Sequence, residues 1–248
     1  TNLAAKATPD GHTLVLATQA GVAASPAGLI ENMPYDALKD LRYVTTVCQI
    51  DFLWVANKDM KPNNAKEMVD YIKANPGKLN YGTGSTGSIS YGGFVKKTYG
   101  LDIAQIAYKS LPPTLVDLMA GQMQVAMSDG ATATPLIKGG KIKALGIPTP
   151  KRHPLLPDVP TFAEQGLETP PDMSGWWILA APAGTPEAVL KRLNTEVVKV
   201  LNTHQVRDKL LANGMLSIPS SPEEATKRVR ESIEVYRRLI PELGLKAN

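Results

Sequence analysis

The stretch YGTGSTGSISY, residues 81–91, gathers the residue types in this chain best suited to holding a ligand. Gly82, Gly84 and Gly87 spell G-x-G-x-x-G, and Asp102 lies twenty positions after Gly82. Dinucleotide sites share that spacing: the glycines admit a pyrophosphate and the acid meets a ribose. The order of elements argues against such a site. The acid of a dinucleotide fold stands at the far end of the second strand, whereas Asp102 precedes the apolar run AQIAY, at its near end. Tyr108, Lys109 and Ser110 occupy the far end instead. A phosphate loop also fails, because no Lys-Ser/Thr pair follows the glycines.

What remains is a strand entering a helix through a turn of small polar residues. Free N–H groups at a helix start attract an anion. Thr83, Ser85, Thr86 and Ser88 add hydroxyls, while Gly84 and Gly87 let a ligand approach the backbone closely. No Lys or Arg stands in the turn, which suits a carboxylate held by neutral donors better than a triphosphate. A plain capped helix start is the competing reading.

Two further strand ends repeat the pattern. Thr18 and Gln19 lie at the end of the strand run HTLVLAT, Gln19 just past it, and Ser128 and Asp129 end QVAMSD before a helix. Asp129 also suits the ordinary role of a helix cap. Trp176 and Trp177 are adjacent on a strand and must face opposite ways. One of the two reads as core and the other as a cover for a ligand, with a structural role for both the competing reading.

Catalytic and metal chemistries find little support. There is no G-x-S-x-G and no H-E-x-x-H. His12, His153 and His204 fall in a turn, a Pro-rich loop and a helix end, and read as solvated surface. Cys48, the single cysteine, lies among apolar residues and reads as buried and inert. No cofactor and no metal are expected.

The elements that must position these residues alternate along the chain. Strands are expected at 12–18, within 41–58 (two, with a break near Asp51), before the glycine turn, and at 104–108, 124–129, 142–147 and 175–184. Helices are expected over 64–77, 88–100, 113–121, 132–140 and 185–202, with another opening on the capping box Ser221–Glu224. In the helix over 185–202, Thr185 suits the cap and Pro186 the first position. Residues 148–175 are proline-rich and irregular. Single helices between strands imply βαβ units and a largely parallel sheet.

The long apolar runs 41–58 and 175–184 act as crossovers that split the chain into two α/β lobes. The expected division is 1–55 with 183–248 against 56–182, with ligands held in a cleft at strand C-terminal ends. A length of 248 residues and a mean hydropathy of -0.13 are enough for two small globular lobes. The net charge of +4 is spread thinly, and only 6% of residues are aromatic, which excludes a nucleic-acid platform. No apolar run is long enough for a membrane span, so direct membrane insertion is not expected. The chain opens inside what reads as a helix tail, so upstream residues, a signal peptide among them, are expected outside this numbering.

Several stretches together resemble one family. PDGHTLVLAT, NPGKLNYGTGSTGS, AYKSLPPTLVDLMAGQMQVAMSD, IKALGI, RHPLLPDVPTFAEQGL and WWILAAPAGTPEAVLKRLNTEVVKVL are similar, in order, to the Bug-type substrate-binding proteins of tripartite tricarboxylate transporters. The resemblance implies an α/β, two-lobed periplasmic binding protein, type II-like, each lobe a mostly parallel sheet flanked by helices. It implies a non-enzymatic periplasmic receptor, monomeric, that closes over a small carboxylate and delivers it to membrane permease subunits. It also implies ligand contacts from Thr18 and Gln19, from Thr83 to Ser88, and from Ser128, Asp129 and Trp176. Family members carry a further upstream βαβ unit, and many have SPPH where this chain has SISY, so Tyr91 is expected to alter ligand preference. A dinucleotide-dependent oxidoreductase using Gly82, Gly84 and Gly87 is the rival function.

Overall fold

The computed structural model describes residues 1–245. Its elements run α1 (Asn2–Ala5), β1 (Val15–Thr18), a kinked helical segment (Ala20–Leu29), β2 (Leu41–Ile50), β3 (Phe52–Asn57), α2 (Ala65–Ala74), β4 (Asn80–Thr83) and α3 (Thr86–Thr98). They continue with β5 (Ala104–Ala107), α4 (Leu111–Met119), β6 (Val125–Asp129), α5 (Gly130–Lys138) and β7 (Ile142–Gly146). After a short 3-10 turn come β8 (Gly175–Pro182), α6 (Glu187–Leu201), α7 (His204–Ala212), β9 (Leu216–Ser217) and α8 (Pro222–Leu243). Two compact units result among the described residues: Thr1–Gln49 with Gly175–Leu245, and Ile50–Ser174.

The second unit is built on a sheet of order β5-β4-β6-β3-β7. β4 lies parallel to both β5 and β6, as two successive strand–helix–strand units require. β3 runs antiparallel to β6 and β7, so the sheet is mixed. The apolar run of β3 is buried along its whole length, which fits a central strand covered on both faces. Leu53, Val55, Leu115, Leu118, Met123 and Ile142 form the core around it. Burying each such side chain contributes about 1.5–3 kcal/mol. Helix α3 tolerates Gly92 because it packs tightly on β4, where a Cβ would meet the Tyr81 ring at 2.7 Å. The Pro-rich loop folds back on this unit through an Ile147–Thr161 bridge, burying Phe162. It also buries His153, whose Nδ1 accepts the Leu155 N–H at 3.2 Å. His153 is therefore an interior residue, against the expectation of solvated surface, while His12 and His204 are exposed.

The first unit carries a sheet of order β1-β8-β2-β9, with β1 antiparallel to β8 and β2 antiparallel to β9. The expected parallel arrangement thus holds for the β4–α3–β5–α4–β6 core of the second unit and not for these pairs. Helix α8 starts on the capping box Ser221/Glu224 and packs on the segment Ala20–Leu29. Its Ala225, Val229 and Ile233 join Ala17, Val22, Trp176 and Ile178 in one core. Cys48 is buried, and burial pushes its thiol up to about 11, leaving it protonated and inert at neutral pH.

Strand pairing sets where the units meet along the chain. β3 pairs within the second unit and β8 within the first, whereas a boundary at 55/56 would divide β3 and one at 182/183 would assign β8 to the other unit. The chain crosses at Gln49/Ile50, next to the Asp51 break between β2, which ends at Ile50, and β3, which begins at Phe52. One expected cap is also displaced. α6 is preceded by Pro186, and Thr185 is buried without a capping hydrogen bond.

Candidate functional site

β4, β5 and β6 run parallel, so their ends at Thr83, Ala107 and Asp129 share one sheet edge, where α3, α4 and α5 begin. The partial positive charge of each helix start is therefore delivered to one edge. The three starts differ in what they leave open. At α5, the Gly130 N–H donates to the Asp51 carbonyl at 2.8 Å and the Thr132 N–H to Asp129 Oδ1 at 2.7 Å. At α4, Pro112 and Pro113 have no N–H to give.

At α3 the capping is internal to the turn. The Gly84 and Ser85 N–H groups both donate to Ser88 Oγ, at 2.9 and 2.8 Å. The Ser88 N–H donates to Ser85 Oγ at 3.2 Å, and Ser88 Oγ donates to the Ser85 carbonyl at 2.8 Å. The first-turn N–H groups of Thr86 and Gly87 take no part in this box, and they lie on the half-exposed stretch Gly84–Gly87. Two adjacent backbone donors at a positive helix end match the two oxygens of one carboxylate.

The glycines have a different reason from the one expected. A Cβ on Gly82 would overlap Met123 and Thr114, on Gly84 the Ser110 backbone, and on Gly87 the Phe52 ring. They make room for the protein's own packing rather than for a ligand. Asp102 precedes β5 and its carbonyl accepts the Gly77 N–H, at the opposite sheet edge from the turn. It cannot reach a ribose held at α3.

The hydroxyls divide in the same way. Thr83 is fully buried, and its Oγ1 accepts from Gln105 Nε2 at 2.9 Å, while Gln105 Oε1 accepts from the Tyr81 hydroxyl at 2.9 Å. Burial holds the Tyr81 phenol up at about 12, so it stays a neutral donor in that chain. Ser88 is spent in the box, and Ser128 is buried with its hydroxyl 3.3 Å from the Asp129 carbonyl. Asp129 acts as the α5 cap. Ser85 and Thr86 are the half-exposed hydroxyls of the turn.

Phe52 is the site residue the sequence did not single out. It opens β3 opposite Asp129, which places it at the same edge, and its ring stacks obliquely on Tyr91 with centroids 5.4 Å apart. Tyr91 is fully buried, and its hydroxyl accepts the Met173 N–H at 3.2 Å. Tyr91 therefore acts on the turn by backing Phe52. The only hint in sequence was the position of Phe52, directly after the Asp51 break.

In the first unit, Thr18 is exposed and its Oγ1 accepts the Gly21 N–H at 3.3 Å. Gln19 is buried, with Nε2 3.4 Å from Ser232 Oγ on α8. Trp176 lies in the core, 2% exposed, with the Arg228 guanidinium 5.7 Å from its ring. Trp177 is the exposed ring, at 36%, and stands opposite Thr18 in the β1–β8 register. The expected orientation is reversed because Trp176 shares its strand face with Ile178 and Ala180, both buried.

The whole described chain, residues 1–245, matches the family model of the tripartite tricarboxylate transporter family receptor. Three solved structures are similar in sequence and fold. An R. palustris protein solved with adipate is 26% identical with a TM-score of 0.85, covering 98% of this chain and 81% of that one. The periplasmic binding protein BugD is 26% identical with a TM-score of 0.82, covering 100% and 83%. MatC from Rhodopseudomonas palustris, solved with malate, is 29% identical with a TM-score of 0.78, covering 96% and 82%. The Bug-type resemblance and its α/β binding-protein fold are thereby established, and this chain belongs to the tripartite tricarboxylate transporter family of receptors.

Proposed function

We propose that the protein is a periplasmic receptor that captures a small organic acid and passes it to the membrane permease subunits of its transporter, without catalysis and without a cofactor. In this reading each compact unit is one lobe. The observation that carries it is the first turn of α3, where Ser85 and Ser88 satisfy each other and leave the Thr86 and Gly87 N–H groups for one carboxylate. Neutral donors at a helix end hold an anion with little desolvation of a competing cation. The adipate and malate found with two similar proteins support the same ligand class.

Thermal unfolding in the presence of candidate ligands tests this. A ligand that binds only the folded state raises stability, by about 2.7 kcal/mol at a hundredfold excess over Kd. Malate, adipate or another small acid should raise the melting temperature, and nicotinamide or flavin nucleotides should not. Stabilisation by a nucleotide with none by any acid would favour the oxidoreductase and overturn the proposal.

A further inference from the structure

The strand ends around the α3 turn carry charge of opposite sign on its two sides. In the order β5-β4-β6-β3, Lys109 follows β5, the uncharged stretch Gly84–Gly87 follows β4, Asp129 ends β6 and Asp51 precedes β3. Two acids thus stand on one side of the donor turn and a lysine on the other. Lys109 is exposed and has no ion-pair partner among the described residues. Asp117, the acid of the helix that follows it, accepts from the Tyr108 hydroxyl at 2.6 Å, and Asp129 is occupied in capping α5.

The backbone holds Lys109 beside the turn. The parallel ladder pairs Thr83 with Ala107 and runs one bond further, because the Tyr108 N–H donates to the Thr83 carbonyl at 2.8 Å. Just past Lys109 the chain closes on α3, where a Cβ on Gly84 would overlap the Ser110 carbonyl. Paired strands lie about 4.8 Å apart, a gap that the four-carbon stem of a lysine spans. Side-chain alternation gives the direction. Gln105 is hydrogen bonded to Tyr81 and Thr83, on the face that α3 covers, and Tyr108 to Asp117 on α4, on the other face. Lys109, one residue on, turns back toward the α3 side.

We propose that Lys109 selects dicarboxylates over monocarboxylates: with one carboxylate on the Thr86 and Gly87 N–H groups, the second lies toward β5 and pairs with the Lys109 ammonium. A second carboxylate pointing the other way would meet the like charges of Asp129 and Asp51. Being exposed, the ammonium stays hydrated in the free receptor, so this selectivity needs no buried unpaired charge. The inference rests on the carboxylate reading of α3 and adds to it the charge of the ligand and the direction in which it lies.

Isothermal titration of the full chain with succinate against butyrate, and with adipate against hexanoate, tests it. The members of each pair differ by one terminal carboxylate in place of a methyl group. At least one diacid should bind more tightly than its matched monoacid. Lys109→Gln should weaken that diacid roughly fivefold, the upper range for an ion pair at an exposed rim, and leave the monoacid unchanged. Lys109→Arg should keep the diacid preference, and both variants should keep the wild-type melting temperature. An unchanged ratio of diacid to monoacid affinity in Lys109→Gln overturns the proposal and leaves the carboxylate reading in place. An equal loss for both members of a pair overturns it as well, because that is the mark of long-range attraction rather than of pairing with a second carboxylate. No binding by any of the four acids overturns the carboxylate reading, and this inference with it.

Discussion

The Phe52 ring lies against Gly87, so that a single added methyl on the first turn of α3 has no space. Phe52 is itself backed by Tyr91, 5.4 Å away between centroids, so it has little freedom to retreat. Gly87→Ala should therefore lower stability by about 1–3 kcal/mol, the range for overpacking a filled site. It should also weaken acid binding, because the strained atoms belong to the donor turn. Adding Phe52→Leu should recover most of both losses. Urea unfolding and ligand titration of the two variants check this, and a harmless Gly87→Ala would show that the ring is not fixed.

The donor pair itself is tested by charge. Thr86→Asp places a carboxylate at the helix start, where it is favourable for the helix but competes with a bound acid. Affinity for malate or adipate should fall at least tenfold with the melting temperature unchanged or slightly raised. Unaltered affinity would place the ligand elsewhere.

Ser88 should behave differently from Ser85 and Thr86, although all three are hydroxyl residues of one turn. Ser88 Oγ accepts from two N–H groups and is buried. Ser88→Ala should cost about 1–2 kcal/mol, as for loss of a helix cap with its partners left unsatisfied. Affinity should fall through disorder of the turn. Thr86→Ala should leave stability within about 0.5 kcal/mol. Equal effects of the two substitutions on unfolding would contradict the assigned roles.

Much of this arrangement was legible in the sequence, and the parts that were not share a cause. Alternating strands and helices, the Asp51 break and the Ser221 capping box follow from local pattern and appear where expected. Residue type also found the α3 turn. What local pattern could not reveal is which atoms a residue spends on its neighbours. Gly84 and Gly87 looked like ligand clearance because Ser110 and Phe52, distant along the chain, are what fill the space. Ser88 looked like a donor because only folding shows its hydroxyl already shared between Gly84 and Ser85. The antiparallel placement of β3 and β8 depends on pairing between distant segments, which no local period encodes.

The tryptophan pair gives a contrast between stability and binding. Trp176 is in the first unit's core under Arg228, and Trp177 is exposed beside Thr18. Trp176→Ala should cost about 3–5 kcal/mol, as for a large core truncation. Trp177→Ala should cost less than about 1 kcal/mol. If either change alters acid affinity at constant fold, it should be the one at Trp177. Urea unfolding with parallel ligand titration distinguishes the two, and the reverse order would place Trp176 outside the core.

Alkaline unfolding probes the chain of hydrogen bonds beneath the turn. Burial raises the Tyr81 phenol to about 12 in the folded protein, against about 10 for an exposed tyrosine. A group whose folded value is raised binds its proton more tightly when folded, so its contribution is complete below pH 10. As pH climbs from about 10 to 12 the unfolded chain loses that proton first, and stability falls across this window. Tyr81 also donates to Gln105, which in turn holds Thr83 at the end of β4. Tyr81→Phe removes the titrating group while keeping the ring that packs against Gly92. It should lower stability by about 1 kcal/mol at neutral pH, the net value of one hydrogen bond, and make the decline between pH 10 and 12 shallower. Urea midpoints measured from pH 8 to 12 give both quantities. An unchanged slope in the variant would assign the alkaline loss to other tyrosines, such as Tyr108, whose hydrogen bond to Asp117 holds it at about 12 as well.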